Sequence, residues 1–138
     1  NNTVGVGRTQ DWATHQIANA LSALYDTPHG ATLSIIMPSW MRYTYKKKPE
    51  RFARYAREVF NIPWDGEKLE EVAMKGIMAT EEFFRSLDMP TSFADGKIPT
   101  NEIEKMLDRI LFRGEDNTIG GMVKLNREDV KAIYEIAF

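Results

Sequence analysis

Asp11–Gly30 reads DWATHQIANALSALYDTPHG, and the spacing of its apolar residues sets the fold expected of everything around it. Ala13, Ile17, Leu21 and Leu24 recur at helical spacing and predict an amphipathic helix from about Gln10 to Tyr25. Asp26-Thr27-Pro28 then makes a turn, and His29 stands where the next apolar run begins. This stretch holds both histidines of the chain, His15 inside the helix and His29 at the mouth of the next. Pro28 and Gly30 flank His29 and restrict the local backbone, which suits a ligand held still and an ordinary turn equally well. If the chain doubles back, the two imidazoles can share a metal ion. The spacing matches none of the compact zinc patterns, and a catalytic metal wants three or four protein ligands. Asp11, one turn before His15, is open to two readings, a further ligand or a carboxylate capping the helix.

The rest of the chain continues in helices. Ala31 to about Tyr45, ATLSIIMPSWMRYTY, is apolar nearly all round, the pattern of a helix buried in a large protein or against a partner. Pro38 within it is expected to kink or restart it. Pro49 opens a third helix that Asn61-Ile62-Pro63 ends. Asp65 is expected to cap a long fourth helix of about twenty residues. Glu67, Glu70 and Glu71 lie near its start, and Leu69, Val72, Ala73, Ile77, Phe83, Phe84 and Leu87 on its buried side. Pro99–Glu102 opens a helix predicted to reach Phe112. Asn126 with Asp129 resembles a capping box before a last helix, Arg127 to Ala137. Asn1–Thr9 reads as a loop; its Gly5-Val6-Gly7 follows no strand and is a weak dinucleotide fingerprint. The expected fold is all-α, one helical domain over residues 1–138.

A chain of 138 residues with 43% hydrophobic and 28% charged residues fits a globular domain with one sizeable core. The formal net charge of −2 argues against a general nucleic-acid or membrane-surface binder. No apolar run approaches the ~20 residues of a membrane helix. Without cysteine there is no disulfide and no thiolate metal site, which fits a reducing, cytoplasmic setting. The one basic stretch, Arg42, Lys46, Lys47, Lys48, Arg51, Arg54 and Arg57, reads as a solvated helix face, with phosphate contact as the other option. Trp40 and Trp64 read as a core residue and a packing anchor. The start, NNTVGVGRTQ, lacks methionine and signal-peptide anatomy and reads as an internal cut.

DWATHQIANALSALYDTPHG with the following ATLSIIMPSWMRY, and the closing GGMVKLNREDVKAIYEIAF, resembles the iron-containing (group III) alcohol dehydrogenases. The resemblance is to their butanol dehydrogenase and NAD(P)H-dependent aldehyde reductase branch. It implies the C-terminal helical-bundle domain of the dehydroquinate synthase-like fold, preceded in the enzyme by an α/β nucleotide-binding domain that is absent from this sequence. It implies His15 and His29 as two of four metal ligands, the others being an aspartate and a histidine of the preceding domain. The ion is divalent iron, or zinc, polarising the oxygen of a small primary alcohol or aldehyde while NAD(P)H exchanges hydride. The segment alone is then expected to be inactive, and a homodimer is the expected assembly. One position departs from the family: a histidine usual one turn after the first ligand is here Asn19, which can hydrogen-bond but not shuttle a proton at neutral pH. Trp12 is a candidate wall of the substrate pocket. The rival expectation is a non-catalytic helical interaction module, docking through its apolar second helix.

Overall fold

The computed structural model describes residues 3–138. In chain order it consists of α1 (Ala13–Tyr25), α2 (His29–Thr44), α3 (Pro49–Phe60), α4 (Leu69–Ser86), α5 (Ile103–Leu107) and α6 (Arg127–Ile136). Single turns of 3-10 helix form at Thr3–Gly5, Tyr45–Lys47 and Thr100–Glu102. Among the described residues, extended pairing is confined to two isolated bridges, Arg113 with Thr118 and Ile119 with Leu125. The fold is all-α, as expected. Asn1 and Asn2 of the expected entry loop lie outside the described residues.

The second helix is the centre of the domain. It packs against α1, α4 and α6, which bury its Ile35, Ile36 and Met41. Its all-round apolar character is therefore met by the chain's own helices, and the idea of α2 as a free docking surface is corrected. Nor does the helix restart at Pro38. It runs on through that residue, whose missing N–H leaves the Ser34 carbonyl without its helical donor. Ser34 and Ser39 are buried polar residues on the same helix. The Ser34 hydroxyl lies 2.6 Å from the Pro90 carbonyl oxygen, tying α2 to the loop after α4.

Helix α3 ends where Asn61 turns left-handed, its N–H and that of Ile62 returning to the Arg57 and Ala56 carbonyls. The helix lies so close to α4 that a Cβ on Gly76 would sit 2.5 Å from that of Ala56, so only glycine fits the crossing. Asp65 does not cap α4. Gly66 follows it with φ +84°, the Trp64 indole N–H donates to the Glu67 carbonyl, and the helix begins only at Leu69. Phe83 and Leu87, expected inside, are exposed, because the C-terminal end of α4 runs past the core. The fifth helix stops at Leu107 rather than Phe112. Arg109 and Ile110 close tight turns onto Met106 and Leu107, and Leu111 is left in solvent. The predicted capping box of α6 is present, Asn126 and Asp129 each bonding the other's backbone N–H. Tyr43 of α2 donates to the same Asp129 carboxylate; this bond, more than burial, pushes the phenol up to about 12. Among the described residues no helix is long and apolar enough to cross a membrane.

Candidate metal centre

His15 and His29 meet although the chain between them first runs away. Ten residues of α1 separate His15 from Tyr25, about 15 Å of helix. The turn Asp26–Pro28 must bring the chain back along α1. It begins with Asp26 in the left-handed region, φ 50°. A contact of 2.9 Å between the Ser22 and Thr32 hydroxyls then fixes the first turn of α2 beside the body of α1. Side chains of a helix tilt towards its N-terminus, which lets His29, the first residue of α2, reach His15. Their ring centroids are 5.5 Å apart with planes inclined at 54°.

That separation suits a shared ion. With metal–nitrogen bonds of about 2.0–2.1 Å, two imidazoles on one tetrahedral ion have centroids on the order of 5 Å apart. His15 is partly buried, and its Nδ1 is fully shielded from solvent with no hydrogen-bond partner. A buried polar atom left unpaired costs about 1–3 kcal/mol, and no group among the described residues offsets that cost at His15. His29 is exposed, and the pair opens to the surface. Among the described residues no third histidine, cysteine or carboxylate gathers with them to complete a metal site. Two neutral imidazoles fit half of the donor set of a borderline divalent ion such as iron or zinc.

Asp11 belongs to the scaffold instead. One carboxylate oxygen accepts from the Ala13 N–H at 2.8 Å, at the start of α1. The other accepts from the Gly121 and Met122 N–H groups at 3.1 and 2.7 Å. Gly121 approaches so closely that a Cβ there would lie 2.1 Å from the Gln10 carbonyl oxygen. Asp11 thus ties the entry of the His15 helix to the loop before α6. Of the two readings open in the sequence, the ligand falls away: Asp11 receives the first helical N–H from the position before Trp12, the N-cap residue. Asp11→Ala is expected to lower stability by about 2 kcal/mol, since it strands backbone donors that now reach a charged acceptor. Thermal or urea denaturation measures this, and an unchanged midpoint would show the tie to be dispensable.

Trp12 stands beside the pair, half exposed, its ring edge-on to His15 at 5.1 Å and its indole N–H donating to the Gln10 side chain. Asn19 is exposed one helical turn beyond His15. Trp40 packs on Phe52 at 5.8 Å and is only partly buried, so it bridges core and surface. Trp64 is half exposed beside Arg57 and anchors the α3–α4 connection through its indole N–H.

The helical arrangement of this domain recurs among solved structures. The chain superposes on NADH-dependent butanol dehydrogenase A from Thermotoga maritima with a TM-score of 0.87 and 39% identity, over 99% of this chain and 35% of that one. The pattern of the Fe-containing alcohol dehydrogenase family, C-terminal part, matches residues 2–138, and the chain belongs to that family. It is 38% identical to the probable NADH-dependent butanol dehydrogenase 1 of Bacillus subtilis, over 98% of this chain and 34% of that protein. It is 30% identical to the NADPH-dependent aldehyde reductase YqhD of Escherichia coli, over 99% of this chain. The chain thus spans about a third of the length of the relatives it matches.

Proposed function

We propose that this domain supplies two ligands, His15 and His29, to the catalytic metal of an alcohol dehydrogenase or aldehyde reductase. In the full-length protein the enzyme exchanges hydride between NAD(P)H and a small aldehyde, in both directions. The observation that carries the reading is the histidine pair, 5.5 Å between centroids, with a buried ring nitrogen that has no partner. The names of the relatives support the reaction class. An aspartate and a histidine from the preceding part of the protein complete the ligand set.

A divalent iron or zinc ion held there supplies Lewis acidity towards the substrate oxygen. The chain's own residues do the rest. His15 and His29 present neutral nitrogen donors from two helices locked together, which holds them in place before any ion arrives. Trp12 walls one side and limits the room for substrate and water. Asn19 offers a hydrogen bond where a histidine would also carry a proton. Asn19→His is therefore expected to shift the pH–rate profile of the full-length protein, adding a limb in the range where imidazole titrates. A superimposable profile would remove this position from the proton path.

Metal analysis of the full-length protein, beside its His15→Ala and His29→Ala variants, tests the assignment directly. The rival module loses its main support because α2 is covered by α1, α4 and α6.

A further inference from the structure

The basic stretch serves no part of the histidine site. Its Lys48, Arg51 and Arg54 help to wall a separate open cleft of about 960 Å³, between residues 8–11, α2, one side of α3 and Gly121-Met122. Four cationic side chains line it: Arg8, Lys48, Arg51 and Arg54. None of the four has an ion-pair partner among the described residues, whereas Arg42, Arg85 and Arg127 all do. Two carboxylates also line the cleft. Asp11 is committed to backbone N–H groups, and Glu58, exposed on α3, pairs with no described cation. Beside the charges lie Trp40 and Phe52, with Met41 and Met122, giving the cleft an apolar side.

Unpaired guanidinium and ammonium groups in a cleft with an apolar side are the complement of an anion with an apolar body. Arginine forks match phosphate oxygens in pairs, and guanidinium groups are weakly hydrated, so they give up water readily to a phosphate. The volume lies within the range of small-molecule sites. The structure assigns this cleft as a binding site for an organic phosphate, its phosphate held by Arg8, Lys48, Arg51 and Arg54 and its apolar part against Trp40 and Phe52. This assignment is independent of the metal reading.

Phenyl phosphate is the probe, titrated into the protein by calorimetry beside inorganic phosphate and phenol. Saturable one-site binding of phenyl phosphate is expected, with inorganic phosphate about tenfold weaker, the equivalent of a modest apolar contact. The double variant Arg51→Gln/Arg54→Gln should bind phenyl phosphate at least about tenfold more weakly, as loss of charge-assisted bonds requires. Both side chains are exposed and unpaired, so helical circular dichroism should be unaltered. In the parent, the indole N–H resonance of Trp40 should shift on titration. Equal affinity for phenyl and inorganic phosphate, no saturable binding, or undiminished affinity in the double variant would each overturn the assignment.

Discussion

His29→Ala in the full-length protein is expected to abolish stoichiometric metal and, with it, aldehyde reduction. The effect should exceed the roughly 10–100-fold loss of affinity that follows removal of an outer-shell partner, because a donor to the ion itself disappears. Stability of the metal-free protein should hardly move. His29 is exposed at the first position of α2, and alanine is a good helix former there, so the change belongs among surface substitutions of about 0.5 kcal/mol or less. The two readouts therefore separate. Lost metal, with a melting point equal to that of the metal-stripped parent, is the signature of a ligand. Retained metal and activity would sink the assignment. His15→Ala should lose metal equally, with a somewhat altered melting point, since His15 is partly buried.

Phe93→Ala is expected to cost about 3–5 kcal/mol, the range for deleting a buried phenylalanine. Phe93 is fully buried although it lies in no helix, in the loop between α4 and α5. Its ring packs on Tyr134 and Phe138 at 5.8 and 5.4 Å between centroids. Its N–H donates to the Ala137 carbonyl at 2.7 Å, and its own carbonyl accepts from Ile98. One residue thus fastens the loop to the end of α6. Tyr134 in turn donates its hydroxyl to the Ile17 carbonyl on α1, and burial raises that phenol above its ordinary range. The chain Phe93–Tyr134–Ile17 joins three elements. Chemical denaturation measures the loss; a cost below about 1 kcal/mol would show that the loop collapses to fill the cavity.

Legibility in the sequence followed local signals. Proline and Asn61 marked both ends of α3, and the Asn126–Asp129 pair marked the start of α6, because capping and turn chemistry act within a few residues. The histidine pair was legible as a resemblance; spacing alone left it open, since nothing local says that Asp26–Pro28 returns the chain along α1. Phe93 was not legible. Its burial depends on a helix forty residues later, and a lone aromatic in a loop carries no period. Asp65 misled for the opposite reason. It has the residue type of a cap, but Gly66 turns the backbone away before α4 begins. The exposure of Phe83 and Leu87 is equally non-local, because periodicity defines a face and not how far along the helix the core extends.

The Asp11 tie bears on the order of assembly. Its bond to Ala13 is local and can form as soon as α1 does, but its bonds to Gly121 and Met122 span 110 and 111 residues of sequence. Contacts of such separation carry the largest loop-closure cost and are made when little chain remains unfixed. The entry of α1 is therefore anchored only once nearly the whole domain has collapsed. On a ribosome, the His15 helix reaches its final seat only after Gly121 and Met122 have emerged.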